Sequence, residues 1–141
     1  MPSPRLLITC AGVFAVSLLA PTSLRAQSTP DCKDPQTQAE MNICAGAAYK
    51  AADAELNAAY AKAIAQMKEM DADLPPELKG AEKTLREAQR VWIPYRDKAC
   101  EAYGFLARGG TMESMLVGNC LTEVTLARIK ELKAIAQGLG N

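Results

Sequence analysis

The sequence predicts an all-α fold: a small, disulfide-stapled bundle of three main helices with an N-terminal arm. Apolar residues recur every three or four positions through most of the chain, and the alternation typical of strands is scarce. Prolines and glycines divide this pattern into three segments, and four cysteines lie beyond residue 26. The chain has 141 residues, and residues 27–141 are long enough for a single helical domain with a modest core.

The first 26 residues are predicted to be a cleaved signal peptide. Arg5 precedes an apolar stretch over residues 6–20, Pro21 ends it, and Leu24-Arg25-Ala26 ends in a small residue that suits signal peptidase. The apolar stretch is shorter than the roughly 20 residues that span a bilayer, which argues against a permanent membrane anchor. Cys10 lies within the stretch, ahead of most of it, and so does not occupy the position of a lipidated cysteine. The protein is therefore expected to be periplasmic or secreted.

The first helix is predicted to begin after Thr37, where Thr-Gln-Ala-Glu matches a capping box. It should end near Asp71, ahead of Pro75 and Pro76. Its expected buried positions follow helical spacing: Met41, Ala45, Ala48, Ala52, Leu56, Ala59, Tyr60, Ala63 and Met67.

The second helix is predicted to begin at Pro76, since proline fits the first turn of a helix. Pro94 falls inside it and is expected to kink it. The helix should end at Gly104 or at the turn over residues 108–110, and a third helix should run from after Thr111 to near Gly138. The seam expected along the second helix comprises Leu78, Ala81, Leu85, Ala88, Trp92, Tyr95 and Ala99.

Removal of residues 1–26 leaves four cysteines, which allow three pairings. Short loops favour Cys32–Cys44, which would tie the arm to the first helix, and Cys100–Cys120, which would tie the second helix to the third. A crossed pairing would require the arm to reach the second helix, and it remains open. Cysteines so widely spaced, with no histidine present, do not resemble a zinc motif.

Charge and composition exclude several classes of function. The 16 basic and 16 acidic residues become 14 and 16 once Arg5 and Arg25 are removed, and a weakly acidic protein does not suit non-specific nucleic-acid binding. The absence of histidine excludes a Ser-His-Asp triad and a histidine-bound catalytic metal. A carboxylate pair for glycoside hydrolysis remains as a remote alternative. Its candidates are Glu40, Asp53, Glu55, Asp97 and Glu113, but acids on helical surfaces usually serve solvation, so no catalytic residue, metal or cofactor is assigned.

Two stretches carry a resemblance to a known family. The first contains Cys44-Ala45, Tyr49, Ala-Asp-Ala-Glu-Leu-Asn over residues 52–57, and Tyr60. The second contains Ala-Gln-Arg-Val-Trp-Ile-Pro-Tyr-Arg-Asp over residues 88–97, Cys100, Gly109-Gly110-Thr111, Cys120, residues 125–128 and Leu132. This pattern resembles the lysozyme inhibitor LprI N-terminal domain family, with Pro94 as a departure from it.

The resemblance implies an exported binding protein, not an enzyme, that blocks a lysozyme-type muramidase by non-covalent binding. It supplies no inhibitory residue that can be transferred to this chain. The alternative is a periplasmic interaction or envelope module with another protein partner.

Two groups of residues are singled out. The polar residues beside the apolar faces are expected to form a structural hydrogen-bonded network that sets the helix register: Asp53, Asn57, Gln89, Arg96, Asp97 and Arg128. The segment restrained by Cys100 and Cys120 is the partner-binding hypothesis, with Tyr103, Phe105, Arg108 and Thr111 as its residues and Arg108 as a ligand for a carboxylate in a lysozyme cleft. The alternative for this segment is an ordinary helix connector capped by Thr111.

Overall fold

A computed structural model describes residues 29–138, and it contains three α-helices joined by two short connections. They are α1 (Gln38–Asp73), α2 (Ala81–Gly104) and α3 (Glu113–Gln137), and each connection includes a short 3₁₀ turn, Pro76–Leu78 or Phe105–Ala107. The predicted all-α bundle is confirmed. The predicted signal peptide and Cys10 lie outside the described residues. Within residues 29–138, no helix is both long and apolar enough to cross a membrane.

The second helix runs antiparallel to the other two. Asp71 near the end of α1 binds Gly80 just before α2, and Gly104 at the end of α2 lies against Val117 near the start of α3. Ala45 near the start of α1 contacts Gly118 near the start of α3, so α1 and α3 are parallel. The first turns of α1 and α3 therefore lie at the same end of the bundle as the last turn of α2.

The predicted start of α1 is confirmed in detail. The Thr37 side chain accepts a hydrogen bond from the Glu40 backbone N–H at 3.2 Å, and the Glu40 carboxylate accepts from the Thr37 N–H at 2.9 Å. Glu40 also accepts from the Gln36 N–H at 2.8 Å. The backbone N–H groups of Gln36 and Thr37 hold the pKa of Glu40 below its ordinary value. In a capping box the two side chains accept hydrogen bonds from each other's backbone N–H groups, which would otherwise lack partners. Both bonds lie within four residues, so the four-residue sequence pattern predicts where the helix begins.

The predicted start of α2 is wrong. Pro76 opens only the 3₁₀ turn, Lys79 is extended, and α2 begins at Ala81. Gly80 has a φ of 146°, a backbone conformation that side-chain-bearing residues rarely adopt, and it separates the turn from the helix.

Since the residue before α2 is a glycine, its first turn is capped from another helix. The Asp71 carboxylate accepts hydrogen bonds from the N–H groups of Gly80, Ala81 and Glu82 at 2.8, 2.9 and 3.0 Å. These backbone donors lower the pKa of Asp71. Asp71 thus joins the end of α1 to the start of α2 and places a negative charge at the positive end of the α2 dipole.

Replacing Asp71 with asparagine is expected to lower the thermal midpoint by several degrees at neutral pH, because the cap loses its charge and one acceptor oxygen. Asp73→Asn, two residues further along the same helix, is the matched control and should leave the midpoint unchanged. Because the folded-state pKa of Asp71 is lowered, its contribution is complete above the unfolded value of about 3.9 and is lost as pH falls through the folded value. Thermal melts at a series of pH values would contradict this role if the Asp71→Asn difference persisted unchanged in strong acid.

The hydrophobic core lies between the three helices, away from the cysteine-containing end. Its buried members are Leu56, Ala59, Ala63, Ile64, Leu85, Ile129 and Leu132, with Tyr60, Met67, Trp92, Ile135 and Ala136 packed against them. The alanines of α1 bury little area each, and the large buried side chains come from all three helices: Leu56 and Ile64 from α1, Leu85 from α2, and Ile129 and Leu132 from α3.

The buried face of α2 differs from the predicted seam. Tyr95 and Leu78, both predicted at the seam, are exposed, whereas Gln89 and Arg96 are buried. The face that packs inward instead carries Leu85, Gln89, Arg96, Cys100 and Gly104. Apolar periodicity identified Leu85 on this face but not Gln89 and Arg96, because these two positions are polar and find their partners on α3 and α1.

Both favoured disulfides are present. Cys32 and Cys44 have an S–S distance of 2.03 Å, and Cys100 and Cys120 have one of 2.06 Å. The first bond ties the exposed N-terminal arm, residues 29–37, to α1, and the second joins the last turns of α2 to the first turns of α3.

Candidate functional site

The segment between the second pair of cysteines forms one end of the bundle and exposes apolar side chains. We call residues 103–112 the tip; they comprise the end of α2, the 3₁₀ turn Phe105–Ala107 and the turn that leads into α3. Four large apolar or aromatic side chains of the tip are exposed: Tyr103 (49%), Phe105 (56%), Leu106 (74%) and Met112 (42%). Exposed apolar side chains so close in sequence make the tip a candidate interaction surface.

Arg108 and Glu113 hold the tip in its conformation. The Arg108 guanidinium donates to the Glu113 carboxylate at 2.6 Å, and the same carboxylate accepts from the Gly109 N–H at 2.8 Å. The guanidinium also lies over the Phe105 ring, 4.5 Å from its centroid. The Gly109 N–H and Arg108 hold the pKa of Glu113 below its ordinary value. One carboxylate thus fixes both the turn and the arginine that stacks on the exposed aromatic ring.

Glycines permit this geometry at two positions. Gly109 has a φ of 76°, which a side chain would disfavour. A Cβ on buried Gly104 would lie 2.5 Å from a methyl carbon of Val117. The close approach of Gly104 to α3 sets where the tip leaves the bundle.

Thr111 does not form the α3 cap that the alternative interpretation of this segment expects. The residue that precedes α3 is Met112, and no side chain caps that helix at its N-cap position. Thr111 instead offers its backbone carbonyl, which accepts a hydrogen bond from the Asn42 side chain at 2.9 Å. The tip is thereby tied to α1 as well as to α2 and α3.

A groove of about 680 Å³ lies beside the tip, between the first turns of α1 and α3. Gly118 lets the two helices approach closely, since a Cβ there would lie 3.0 Å from the Cβ of Ala45. Ten residues line the groove: Asn42, Gly46, Tyr49, Gly110, Thr111, Glu113, Ser114, Val117, Gly118 and Leu121. Its walls are mainly apolar, and Gly110 and Thr111 of the tip form part of its rim.

Arg96 is the centre of a polar cluster between α1 and α2. Its guanidinium donates to Asp53 at 3.1 Å and to Asp97 at 2.9 Å, and it lies 5.2 Å from the ring centroids of both Tyr49 and Trp92. Burial favours the neutral form of Arg96, but the hydrogen bonds to Asp97 and Asp53 outweigh burial, so its pKa lies above the ordinary value. Burial raises the pKa of Tyr49.

Arg128 forms a second cluster, which also contacts Trp92. It donates to Gln89 at 3.1 Å and to Glu131 at 2.7 Å, and its guanidinium lies 5.8 Å from the Trp92 ring centroid. Asn57 is exposed, and its side chain makes no hydrogen bond to another residue of the described chain. The structure therefore brings Asp53, Arg96 and Asp97 into one cluster and Gln89 and Arg128 into another, and the arginines of both clusters lie over the Trp92 ring.

The five acids considered for catalysis are all engaged in other contacts, and the two that come together, Asp53 and Asp97, do so on the Arg96 guanidinium. Glu40 caps α1, Asp53 and Asp97 bind Arg96, Glu55 accepts from Lys133 at 2.7 Å, and Glu113 binds Arg108. A general acid needs a raised pKa, whereas those of Glu40 and Glu113 are lowered. Between residues 29 and 138, no group of three or more potential ligands is placed to hold a metal ion.

Comparison with known proteins places this architecture in a family. The chain is 45% identical over 138 residues to the uncharacterized protein R02472 of Rhizobium meliloti (strain 1021), and the match covers 93% of this chain and 99% of that protein. No solved structure matches the chain. The family model described as "Lysozyme inhibitor LprI" matches residues 30–132, which include all three helices nearly to the end of α3 and both disulfides. The chain therefore belongs to the LprI lysozyme inhibitor family.

Proposed function

We propose that this protein is exported and inhibits a lysozyme-type muramidase by binding it non-covalently through the tip. Family membership supports the class of partner, and the exposed apolar tip is the observation that supports the location. Two disulfides suit an oxidising compartment, which agrees with the signal peptide predicted from residues 1–26.

The tip has the physical properties of a binding loop. Tyr103, Phe105 and Leu106 offer aromatic and apolar area that gains free energy when it leaves water. The Cys100–Cys120 bond and the Arg108–Glu113 pair restrain the loop before binding, which reduces the entropy lost in a complex. Inhibition then follows from steric blockage of the enzyme and needs no chemistry from the inhibitor.

Leu106→Ala is expected to weaken inhibition of the target muramidase about 10- to 100-fold, the range of a central interface residue. Leu78→Ala is the matched control: Leu78 is 63% exposed against 74% for Leu106, and both lie in 3₁₀ turns, at opposite ends of the bundle. Purified protein would be assayed by the clearing of a cell-wall suspension with animal lysozymes of the c, g and i types.

Equal inhibition by the two variants would place the binding surface elsewhere. Failure of the wild type to inhibit any lysozyme of the panel would contradict the proposed function and favour the alternative of an envelope module with another protein partner. Clearing of the suspension by this protein alone would favour the carboxylate hydrolase.

A further inference from the structure

The tip is almost free of charge, although charged residues surround it. Arg108 is the one charged residue between positions 102 and 112, and Glu113 neutralises it. On the preceding turn of α2, Lys98 pairs with Glu101. Lys98 and Arg108, the cations of this stretch of sequence, thus each already have an anion within the protein.

We infer that the tip docks onto an apolar concave surface of its protein partner, and that Arg108 acts within the tip and is not a ligand for a partner carboxylate. This inference rests on the proposed function and specifies the chemistry of the partner. Arg108 holds the Phe105 ring by stacking and is itself held by Glu113, so it is a positioning residue. Transferring it to a partner carboxylate would break a 2.6 Å charged hydrogen bond and leave Glu113 with only the Gly109 N–H.

The charge pattern favours a protein partner over a membrane surface. Peripheral membrane sites combine apolar side chains with several unpaired lysines or arginines that attract anionic lipids. The tip supplies only Arg108, already neutralised by Glu113. Burial of Phe105 and Leu106 in an apolar protein pocket needs no such attraction.

Salt dependence tests the chemistry of the contact. The dissociation constant for the lysozyme that the wild type inhibits most strongly should change less than about threefold between about 50 and 500 mM NaCl, since exposed ion pairs are screened over this range and apolar contacts are not. A weakening of tenfold or more that Arg108→Gln abolishes would overturn the inference. Binding to phosphatidylcholine–phosphatidylglycerol vesicles that Leu106→Ala abolishes would also overturn it and would identify a membrane.

The Glu113→Gln variant separates the two roles of Arg108 by the sign of its effect. If Arg108 positions the tip, this variant loosens the turn and weakens binding about three- to tenfold. If Arg108 reaches a partner carboxylate, the variant frees the guanidinium and strengthens binding. Lys98→Gln, which breaks the neighbouring Lys98–Glu101 pair, is the control and should leave affinity within about twofold.

Hydrogen exchange of the Gly109 amide supplies a readout that does not depend on any lysozyme. Exchange should become faster in both Glu113→Gln and Arg108→Gln, since the carboxylate that accepts this N–H loses its charge or its partner. Unchanged exchange would overturn the positioning role even if no lysozyme binds. Absence of lysozyme binding together with faster exchange would contradict the proposed function while supporting the role of Arg108.

Discussion

Replacing Cys100 and Cys120 together with alanine is expected to lower the free energy of unfolding by about 3 kcal/mol and to weaken lysozyme inhibition by more than tenfold. The bond closes a loop with a sequence separation of 20, and a loop of this size restricts the unfolded chain by about that amount. Alanine is preferred to serine because Cys100 is completely buried, and a hydroxyl there would lack partners. Urea denaturation and the cell-wall clearing assay would measure the two effects.

The double replacement of Cys32 and Cys44 is the control for this prediction. It opens a loop of similar size, with a separation of 12, but it frees the arm and not the tip. It should cost stability and leave inhibition near the wild-type level. Suppose that the Cys100/Cys120 variant is folded and inhibits lysozyme as strongly as this control does. The second disulfide is then not what restrains the tip.

Leu132→Ala is expected to cost about 3 to 5 kcal/mol of unfolding free energy, because it removes a large side chain and leaves a cavity. Leu132 has no solvent exposure and belongs to the core cluster formed by all three helices. Leu126→Ala on the same helix removes the same atoms from an exposed position and should cost less than about 1 kcal/mol. Denaturant unfolding would contradict the assigned core if the two substitutions cost equal amounts.

Elements that depend on neighbouring residues could be predicted from the sequence. The capping box at Thr37 and the end of α1 ahead of Pro75 arise from contacts within four residues, so the pattern itself carries the information. The disulfides followed from short loops between cysteines near helix ends. The helix count followed from periodicity and from the positions of proline and glycine.

Features that depend on another element were missed. The α2 start is determined by Asp71, nine residues before Gly80, and no local pattern signals that contact. The close crossing of α1 and α3 at Gly118 likewise depends on Ala45, far away in the chain. The pairing of Arg96 with Asp53 across α2 and α1, by contrast, agrees with the predicted polar network, which contains both residues.

The candidate site likewise has features that the sequence predicted and features that it did not. Exposure of Tyr103 and Phe105 agrees with the sequence-based hypothesis for the segment, although their part in binding remains a prediction. The partner of Arg108 was not foreseen. Glu113 had been considered only as a catalytic acid, whereas its five-residue separation from Arg108 across a glycine turn brings the two side chains together. Thr111 contributes a carbonyl, whereas the alternative interpretation of this segment required a cap by its side chain.

The parallel course of α1 and α3 determines where the protein can be labelled, fused or immobilised without covering the tip. Because α3 starts beside the tip and runs away from it for 25 residues, its last residue, Gln137, lies about 37 Å further along the helix axis. A fluorophore, surface linker or fused protein joined after α3 would leave the tip unobstructed. Attachment ahead of the arm would place the same cargo at the end of the bundle where the tip lies. Biosensors and affinity resins built on this scaffold should therefore be coupled through the carboxyl end.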